Sequence, residues 1–375
     1  MLQIIKVDTT KKDQVRRFID VQFRLYQDCP QWVPPIRMDM FDVMNRGKHP
    51  YYAHSTADFF IAVRDGEDVG RIATLDNSSY NQYHGTRTGQ FYFFDCVDDS
   101  EVGAALFQRA FEWARDRGLD QIIGPKGFTV FDGYGMLERG FEHRQMMNMM
   151  NYNYPYYLRL AKEAGFEKEV DFISHYIKTV DFIMPERVHR IADRVRQRQN
   201  LRVLRFKSKR DLRRWANRIG RTYNDSFVNN WEYVPLTDAE IKFVVDNIML
   251  VANPRLIKII AHEEDVVGFA FGWPDISAAM QRSKGKLLPF GIIDLLLEMR
   301  RTKFMAGNGM GLLPEFQGRG ANALLYSEME KTLTEFNFTE LELTQVAETA
   351  VQMRNDLETL GGEPYKNHRV FRRKL

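Results

Sequence analysis

Hydrophobic and polar positions alternate along the chain in two series that have the same order. In the first series, apolar residues 59–63 are followed by a polar turn and by the apolar run 69–72. In the second, apolar residues 257–261 are followed by a polar turn and by the run 267–270. Two short apolar runs around a polar turn predict a β-hairpin in each series.

Other segments match between the two series in the same order. Residues 14–18 and 211–215 both open stretches with the apolar spacing of a helix. After the second hairpin an insertion occupies about residues 275–303, and the common order then resumes. It predicts a strand (90–95 and 306–313), a helix (103–117 and 320–336), a strand (121–124 and 340–344), a helix (156–165 and 352–361) and a last strand. This repetition predicts an internal duplication of two α/β halves, each with a mixed sheet.

The duplication divides the chain into an N-terminal domain over residues 1–180, a linker helix over 181–200 and a C-terminal domain over 201–375. Between the copies, residues 185–221 contain fourteen Lys or Arg and three acidic residues. Val188, Ile191 and Val195 keep helical spacing, so the linker is predicted to be an amphipathic helix with a basic face. That face is either a solvated surface or a binding surface for a polyanion.

Composition excludes several classes of protein. Hydrophobic residues make up 44% and charged residues 27%, with a net charge of +3, which is an ordinary globular balance. Cys29 and Cys96 are the two cysteines, so no disulfide framework is expected, and the histidines show no metal-ligand spacing. No apolar run reaches the roughly 20 residues of a membrane span, and the first residues read as a strand rather than a signal peptide. We therefore expect a cytoplasmic protein without a metal and without a membrane partner.

The most informative motif lies in residues 311–325. A strand is predicted to end at Pro314, a turn with Gly318 and Gly320 follows, and a helix begins near Ala321. Such a turn lets several backbone N–H groups converge on one anion at the positive end of the helix dipole. The turn has no Gly-Lys-Ser/Thr for a nucleoside triphosphate and is followed by no strand with an acid for a ribose.

This turn resembles the pyrophosphate-binding loop of the GNAT acyltransferases, which reads Gln/Arg-x-x-Gly-x-Gly/Ala. Gln317 and Gly320 match its conserved places, and Asn322 stands at the last small position, where its side chain can also donate to a phosphate. The similarity spans most of the chain and is greatest to bacterial proteins with two tandem GNAT-like domains. It implies acetyl-CoA or another acyl-CoA as co-substrate and no metal. The cofactor-binding residues that it implies are Leu312, Leu313, Gln317, Gly318, Arg319, Gly320, Ala321, Asn322 and Asn355.

The chain departs from this family in three places. Ala350 stands where many members have an Asn that contacts the pantetheine arm, and Leu357 stands where many have a tyrosine general acid. The first copy has Asp98, Asp99 and Glu101 in its loop, and these acids would repel a pyrophosphate. We therefore expect the second copy alone to bind CoA, and any proton donor to come from elsewhere in the chain.

GNAT-like chemistry is the direct attack of an amine on the thioester carbonyl. The candidate catalytic residues are Tyr156 and Tyr157, Asp132 in the long glycine-containing loop 124–153, and Tyr326 on the helix after the CoA loop. Asp132 is expected to face the cleft between the halves and to shape the acceptor site. The inserted segment 287–300 is predicted to be an amphipathic helix that serves as a lid, a dimer face or core.

Three functions stay open. The first is an N-acyltransferase with a small-molecule or peptide amine as acceptor. The second is a GNAT-like protein that binds CoA or a partner without catalysis, which the residues at positions 350 and 357 favour. The third is an aminoacyl-tRNA-dependent transferase, which the basic linker favours; no other nucleic acid is expected. A homodimer is compatible with each of them.

Overall fold

A computed structural model describes residues 1–146, 150–180, 182–249 and 251–375. The chain forms two compact units, and neither is continuous in sequence. Unit 1 comprises Met1–Ile173, Ser277–Leu295 and Tyr365–Leu375, and unit 2 comprises Ser174–Ile276 and Leu296–Pro364. The domain boundaries at residues 180 and 200 stay a prediction, and Asp181, together with residues 147–149 of the long loop, lies outside the described residues.

The strands, in chain order, are β1 (Leu2–Lys6), β2 (Thr56–Arg64), β3 (Glu67–Asp76), β4 (Thr88–Cys96), β5 (Gln121–Gly124), β6 (Met136–Arg139), β7 (Glu167–Lys178), β8 (Leu201–Leu204), β9 (Ile257–His262), β10 (Asp265–Pro274), β11 (Phe304–Leu312), β12 (Glu340–Ala347) and β13 (Glu363–Lys374). The helices are α1 (Lys12–Leu25), α2 (Arg37–Met44), α3 (Ser78–His84), α4 (Ser100–Arg115), α5 (Tyr156–Glu163), α6 (Glu186–Arg198), α7 (Lys209–Ser226), α8 (Asp238–Ile248), α9 (Ser277–Ser283), α10 (Gly291–Arg301), α11 (Ala321–Phe336) and α12 (Val351–Thr359).

The two units share one sheet pattern. In unit 1 the strands follow the order β1-β2-β3-β4-β5, antiparallel except for the parallel pair β4 and β5. In unit 2 the order β8-β9-β10-β11-β12 repeats it, with β11 and β12 parallel. Both predicted hairpins are present, as β2–β3 and β9–β10. The prediction of two tandem α/β halves with mixed sheets is thus confirmed.

The two copies exchange their last strands. From Tyr365 onward β13 belongs to unit 1, where it pairs antiparallel with β5 and places Phe371 opposite Gly124. The second part of β7, from Ser174, belongs to unit 2, in which β7 is the neighbour of β12. The sheet of each unit therefore includes a strand that lies, along the sequence, at the end of the other copy.

Each unit has its own apolar core. In unit 1, α4 packs on the sheet with fully buried aromatic side chains, and Phe94 stacks on Phe107 with ring centroids 4.2 Å apart. In unit 2, Val188 and Val195 of α6 pack in one cluster with Leu324 of α11. The apolar spacing that predicted α6 therefore reflects its packing on α11.

Candidate functional site

The strand β11 separates from its parallel neighbour β12 before it ends. The ladder between them runs from Phe304 opposite Glu340 to Gly307 opposite Leu343. At the same point the register with β10 shifts, and Gly309 adopts a φ of +93°, which favours glycine. Residues 310–312 continue past the end of the β11–β12 ladder, so their edge is open to an extended ligand.

A tight turn joins β11 to α11. Gln317 anchors it, since the side-chain Nε2 donates to the carbonyl of Leu312 at 2.9 Å. Gly318 and Gly320 have φ values of +66° and +86°, a backbone region that disfavours any residue with a Cβ. The N–H groups of residues 318–320 have no acceptor within the described part of the chain. These free donors and the N-terminus of the 16-residue helix α11 form a suitable site for a phosphate.

The helix α6 lies against this turn. A Cβ added at Gly320 would come within 2.7 Å of Cγ2 of Ile191 and 3.2 Å of Cγ2 of Val195. Gln199, which follows the helix, donates from Nε2 to the carbonyl of Arg319 at 3.2 Å. Gly320 is thus required both by its backbone conformation and by the approach of α6.

Beside the turn, a carboxylate links α11 to α12. Oδ2 of Asp356 accepts from Nδ2 of Asn322 at 2.8 Å and from the hydroxyl of Tyr326 at 2.9 Å. Burial, and then Asp356, raise the pKa of Tyr326 far above its ordinary value. The side chain of Asn322, which we expected to donate to the cofactor, donates to Asp356 here, and Asn355 is exposed on α12. Leu357, at the family's tyrosine position, is 2% exposed.

The equivalent helix of the first copy, α4, presents no such donors. Oδ1 of Asp99 accepts from the N–H groups of Glu101 and Val102 at 2.9 and 3.1 Å. Arg64 pairs with Asp99 at 2.5 Å, and this hydrogen bond is the main reason that the pKa of Asp99 is lowered. The N-terminus of α4 is therefore capped by a carboxylate of its own chain, whereas before α11 the N–H groups of residues 318–320 have no acceptor among the described residues.

Unit 1 contains a cavity of about 140 Å³ at the irregular part of β4. Its lining combines aromatic, acidic and amide side chains, among them Trp32, Tyr92, Asp95, Asp132, Gln145 and Tyr157. Arg71, which is fully buried, pairs with Asp95 at 2.7 Å. Because a buried charge needs a partner, this ion pair fixes the position of the Asp95 carboxylate at the cavity wall.

Two of the predicted catalytic residues line this cavity. The hydroxyl of Tyr157 accepts from the N–H of Cys96 and from the hydroxyl of Tyr26, each at 3.0 Å. Burial raises the pKa of Tyr157 well above its ordinary value, so the phenol is neutral at physiological pH. The carboxylate of Asp132 accepts from the N–H of Thr129 at 2.7 Å, and burial raises its pKa.

The predicted site residues fall into two groups. Tyr157 and Asp132 come together in unit 1, where the hydroxyl of Tyr156 donates to the carbonyl of Cys96 at 2.6 Å. Tyr326 and the residues of the predicted CoA loop come together in unit 2. Asp132, expected to face a cleft between the halves, lines a cavity built from unit 1 residues. The catalytic roles of these residues stay predictions.

Sequence reasoning missed several residues of the site. Asp356, which accepts from two predicted site residues, stands one position after Asn355 and offered no separate signal. The contact of Ile191 with the turn between β11 and α11 was indicated only by the apolar spacing of α6, and that spacing does not show which surface the helix covers. Arg71 and Asp95 lie 24 residues apart, on β3 and β4, and the register of these two strands that places them opposite each other follows from the fold.

Among the described residues, no group of three or more His, Cys, Asp or Glu side chains is arranged to hold a metal ion. Within the same described ranges, no helix combines the length and the apolar character that crossing a bilayer requires.

No protein-family model matches the chain. It is 26% identical to protein YghO of Escherichia coli K12 over 373 residues, which cover 97% of this chain and 94% of that protein. It is 27% identical over 384 residues to a bacterial ceramide synthase of Caulobacter vibrioides, covering all of this chain and 98% of that protein. Among solved structures, a tandem GNAT protein from the clavulanic acid biosynthesis pathway superposes with a TM-score of 0.58 at 12% identity, covering 100% of this chain and 98% of that one.

Proposed function

We propose that this chain, which has the fold of the tandem GNAT proteins, transfers an acyl group from an acyl-CoA to an amine. One observation carries the proposal: the open edge of β11 leads directly into a turn before α11 whose three backbone N–H groups, of residues 318–320, have no acceptor among the described residues. An acyl-CoA carries an extended, amide-containing pantetheine arm that ends in a pyrophosphate. The open strand edge fits the arm, and the turn fits the pyrophosphate.

The reaction follows from this placement. The lone pair of a neutral amine attacks the thioester carbonyl carbon, while the backbone N–H groups of Met310 and Leu312, which alternate with those that face β10, stabilise the negative charge that develops on the carbonyl oxygen. The C–S bond then breaks, CoA leaves as a thiolate, and the amine gives up a proton to water. A thiol with a pKa of about 8.5 is a good leaving group at neutral pH, so no protein acid has to assist its departure. This accounts for activity without a tyrosine at position 357.

We further propose that the acceptor amine carries an apolar chain. The 27% identical relative that spans the whole chain is named a ceramide synthase, and ceramide is the N-acyl product of a long-chain amine. The inserted segment supports the same acceptor, since Leu288 and Phe290 are 77% and 75% exposed and Ile293 is 55% exposed. Large exposed apolar side chains in one segment are typical of a surface that meets an apolar ligand or partner.

The proposal is tested by thiol release. The purified protein is mixed with acetyl-CoA or longer acyl-CoAs and with amines that share one head group and differ in chain length. We expect release to require an amine and to increase with its chain length. Gly318→Ala, which strains the turn at a φ of +66°, should slow the reaction. Gly66→Ala is the matched control, because it strains a distant hairpin turn at a φ of +89° with nothing within 4 Å, and it should leave the rate unchanged.

The failure of the proposal has a clear signature. If no acyl-CoA at millimolar concentration produces either thermal stabilisation or thiol release, the proposal is wrong. Stabilisation without thiol release would favour the non-catalytic function. Two observations are compatible with that function: Leu357 is buried, and the hydroxyl of Tyr326 donates to Asp356.

A further inference from the structure

The helix α6 carries a stripe of arginines beside the predicted pyrophosphate turn. Arg187, Arg190, Arg194 and Arg198 are spaced by three or four residues and are all exposed. Side chains at this spacing share one face of a helix. The stripe therefore runs along α6 as a continuous basic surface.

The direction of α6 places one end of this stripe at the turn. At its C-terminal end, Val195 and Gln199 contact the turn residues Gly320 and Arg319. Toward its N-terminal end, His189 contacts Ser327, two turns along α11, at 3.1 Å. The two helices are thus antiparallel, and the C-terminal turns of α6 adjoin the N-terminus of α11.

The arginines near the turn lie on the side of Gly320. Arg194 is three positions from Ile191 and Arg198 is three positions from Val195, the two residues whose side chains contact Gly320. Arg196 projects to the other side, where it pairs with Glu328 of α11 at 3.2 Å. Arg194 and Arg198 are therefore directed toward the open side of the turn.

The arginines around the turn lack carboxylate partners among the described residues. Arg194, Arg198 and the turn residue Arg319 form no ion pair with a carboxylate in the part of the chain that the structure describes. The region therefore combines three guanidinium groups without a carboxylate partner among the described residues with the N–H groups of the turn, and it should attract anions strongly. Guanidinium groups bind phosphate with paired hydrogen bonds, which an isolated backbone N–H cannot form.

We propose that Arg194 and Arg198, with Arg319, bind the ribose 3′-phosphate of the acyl-CoA, and so make the protein selective for CoA over its 3′-dephospho form. CoA carries two separate phosphate sites, a pyrophosphate bridge and a phosphate monoester on the ribose. The turn takes the pyrophosphate, and the arginines of α6 provide a second cationic site within reach of the same nucleotide. This inference rests on the proposed function, since it assigns a further part of the same ligand.

Calorimetry with CoA and 3′-dephospho-CoA tests the inference. We expect the protein to bind CoA about tenfold more tightly than 3′-dephospho-CoA, as one charge-assisted phosphate contact contributes. In the double variant R194Q/R198Q the two ligands should bind equally, with the affinity for 3′-dephospho-CoA kept. Increasing salt should reduce the preference of the unmodified protein, because the arginines are exposed.

Arg187→Gln is the matched control. It removes the same charge from the same stripe seven residues away from Arg194, about 10 Å farther from the turn, and should retain the preference. If the unmodified protein binds both ligands equally, or if R187Q loses the preference as fully as R194Q/R198Q, the inference is wrong while the proposed function stands. If the protein binds neither ligand, the proposed function itself fails.

Discussion

Replacing Gly320 by alanine tests the two reasons for a glycine in the turn between β11 and α11. The first is conformational: at a φ of +86°, a residue with a Cβ costs about 1–2 kcal/mol. The second is steric, because the new Cβ would lie 2.7 Å from Cγ2 of Ile191, whereas relaxed carbon contacts are about 3.5–4.0 Å apart. Overpacking of this kind adds about 1–3 kcal/mol, so together with the conformational cost we expect the free energy of unfolding to fall by about 2–5 kcal/mol.

Two further variants separate these contributions. Gly318→Ala has the same conformational cost, with a φ of +66°, but nothing within 4 Å of its Cβ, so it should lose only the conformational part. In an Ile191→Ala background, Gly320→Ala meets only Cγ2 of Val195, at 3.2 Å, and should cost only slightly more than Gly318→Ala. Urea denaturation of the single and double variants gives the coupling energy between positions 191 and 320.

CoA binding is measured on the same variants. Gly320→Ala should weaken CoA binding by roughly tenfold, the loss of about one charge-assisted hydrogen bond to a phosphate. Equal destabilisation by Gly318→Ala and Gly320→Ala, without coupling to Ile191, would refute the contact between α6 and the turn. Unchanged CoA binding in both variants would refute the turn as the phosphate site.

Three other perturbations have defined outcomes. His368 is buried and donates from Nε2 to the carbonyl of Asn151 at 2.9 Å. Burial lowers the pKa of His368 to about 3, so its contribution to stability is present above pH 6.5 and lost as the pH falls toward 3. His368→Gln should therefore flatten the decline of unfolding free energy between pH 6.5 and 4, and an unchanged slope contradicts this assignment. Tyr157→Phe leaves the N–H of Cys96 unpaired and should lower the free energy of unfolding by about 1–3 kcal/mol in urea denaturation. If turnover also falls by about 10²-fold in this variant and not in the matched variant Tyr26→Phe, Tyr157 has a role in proton transfer. Equal losses of turnover in the two variants would refute that role. Deleting residues 365–375 should abolish the hydrogen-exchange protection of β5, and retained protection would show that β5 does not depend on β13.

The sequence was sufficient to predict the elements around the turn between β11 and α11. Alternation of apolar and polar residues identified both hairpins, and the glycines at 318 and 320 identified the turn, because these signals are local. The capping of α4 could also be predicted, since Asp99 precedes that helix and aspartate is a common N-cap residue.

The sequence could not show which helices and segments pack against each other. The spacing of Val188, Ile191 and Val195 predicts a buried stripe on α6 but not that it packs on α11. Asp356 and Asn322 are 34 positions apart, and their hydrogen bond follows from the packing of α12 beside α11. The cavity in unit 1 is likewise formed by residues from distant segments, so the two predicted catalytic residues that line it could not be placed relative to each other.

The exchanged last strands bear on the order in which the chain can fold during synthesis. Domains usually form from the N-terminus as the ribosome releases them. Here unit 1 receives its strand next to β5 from Tyr365 onward, the last eleven residues of the 375-residue chain. Unit 2 draws on β7, which is made before any of its other strands, and ends at Pro364. The half that is translated first is therefore the half whose sheet is completed last.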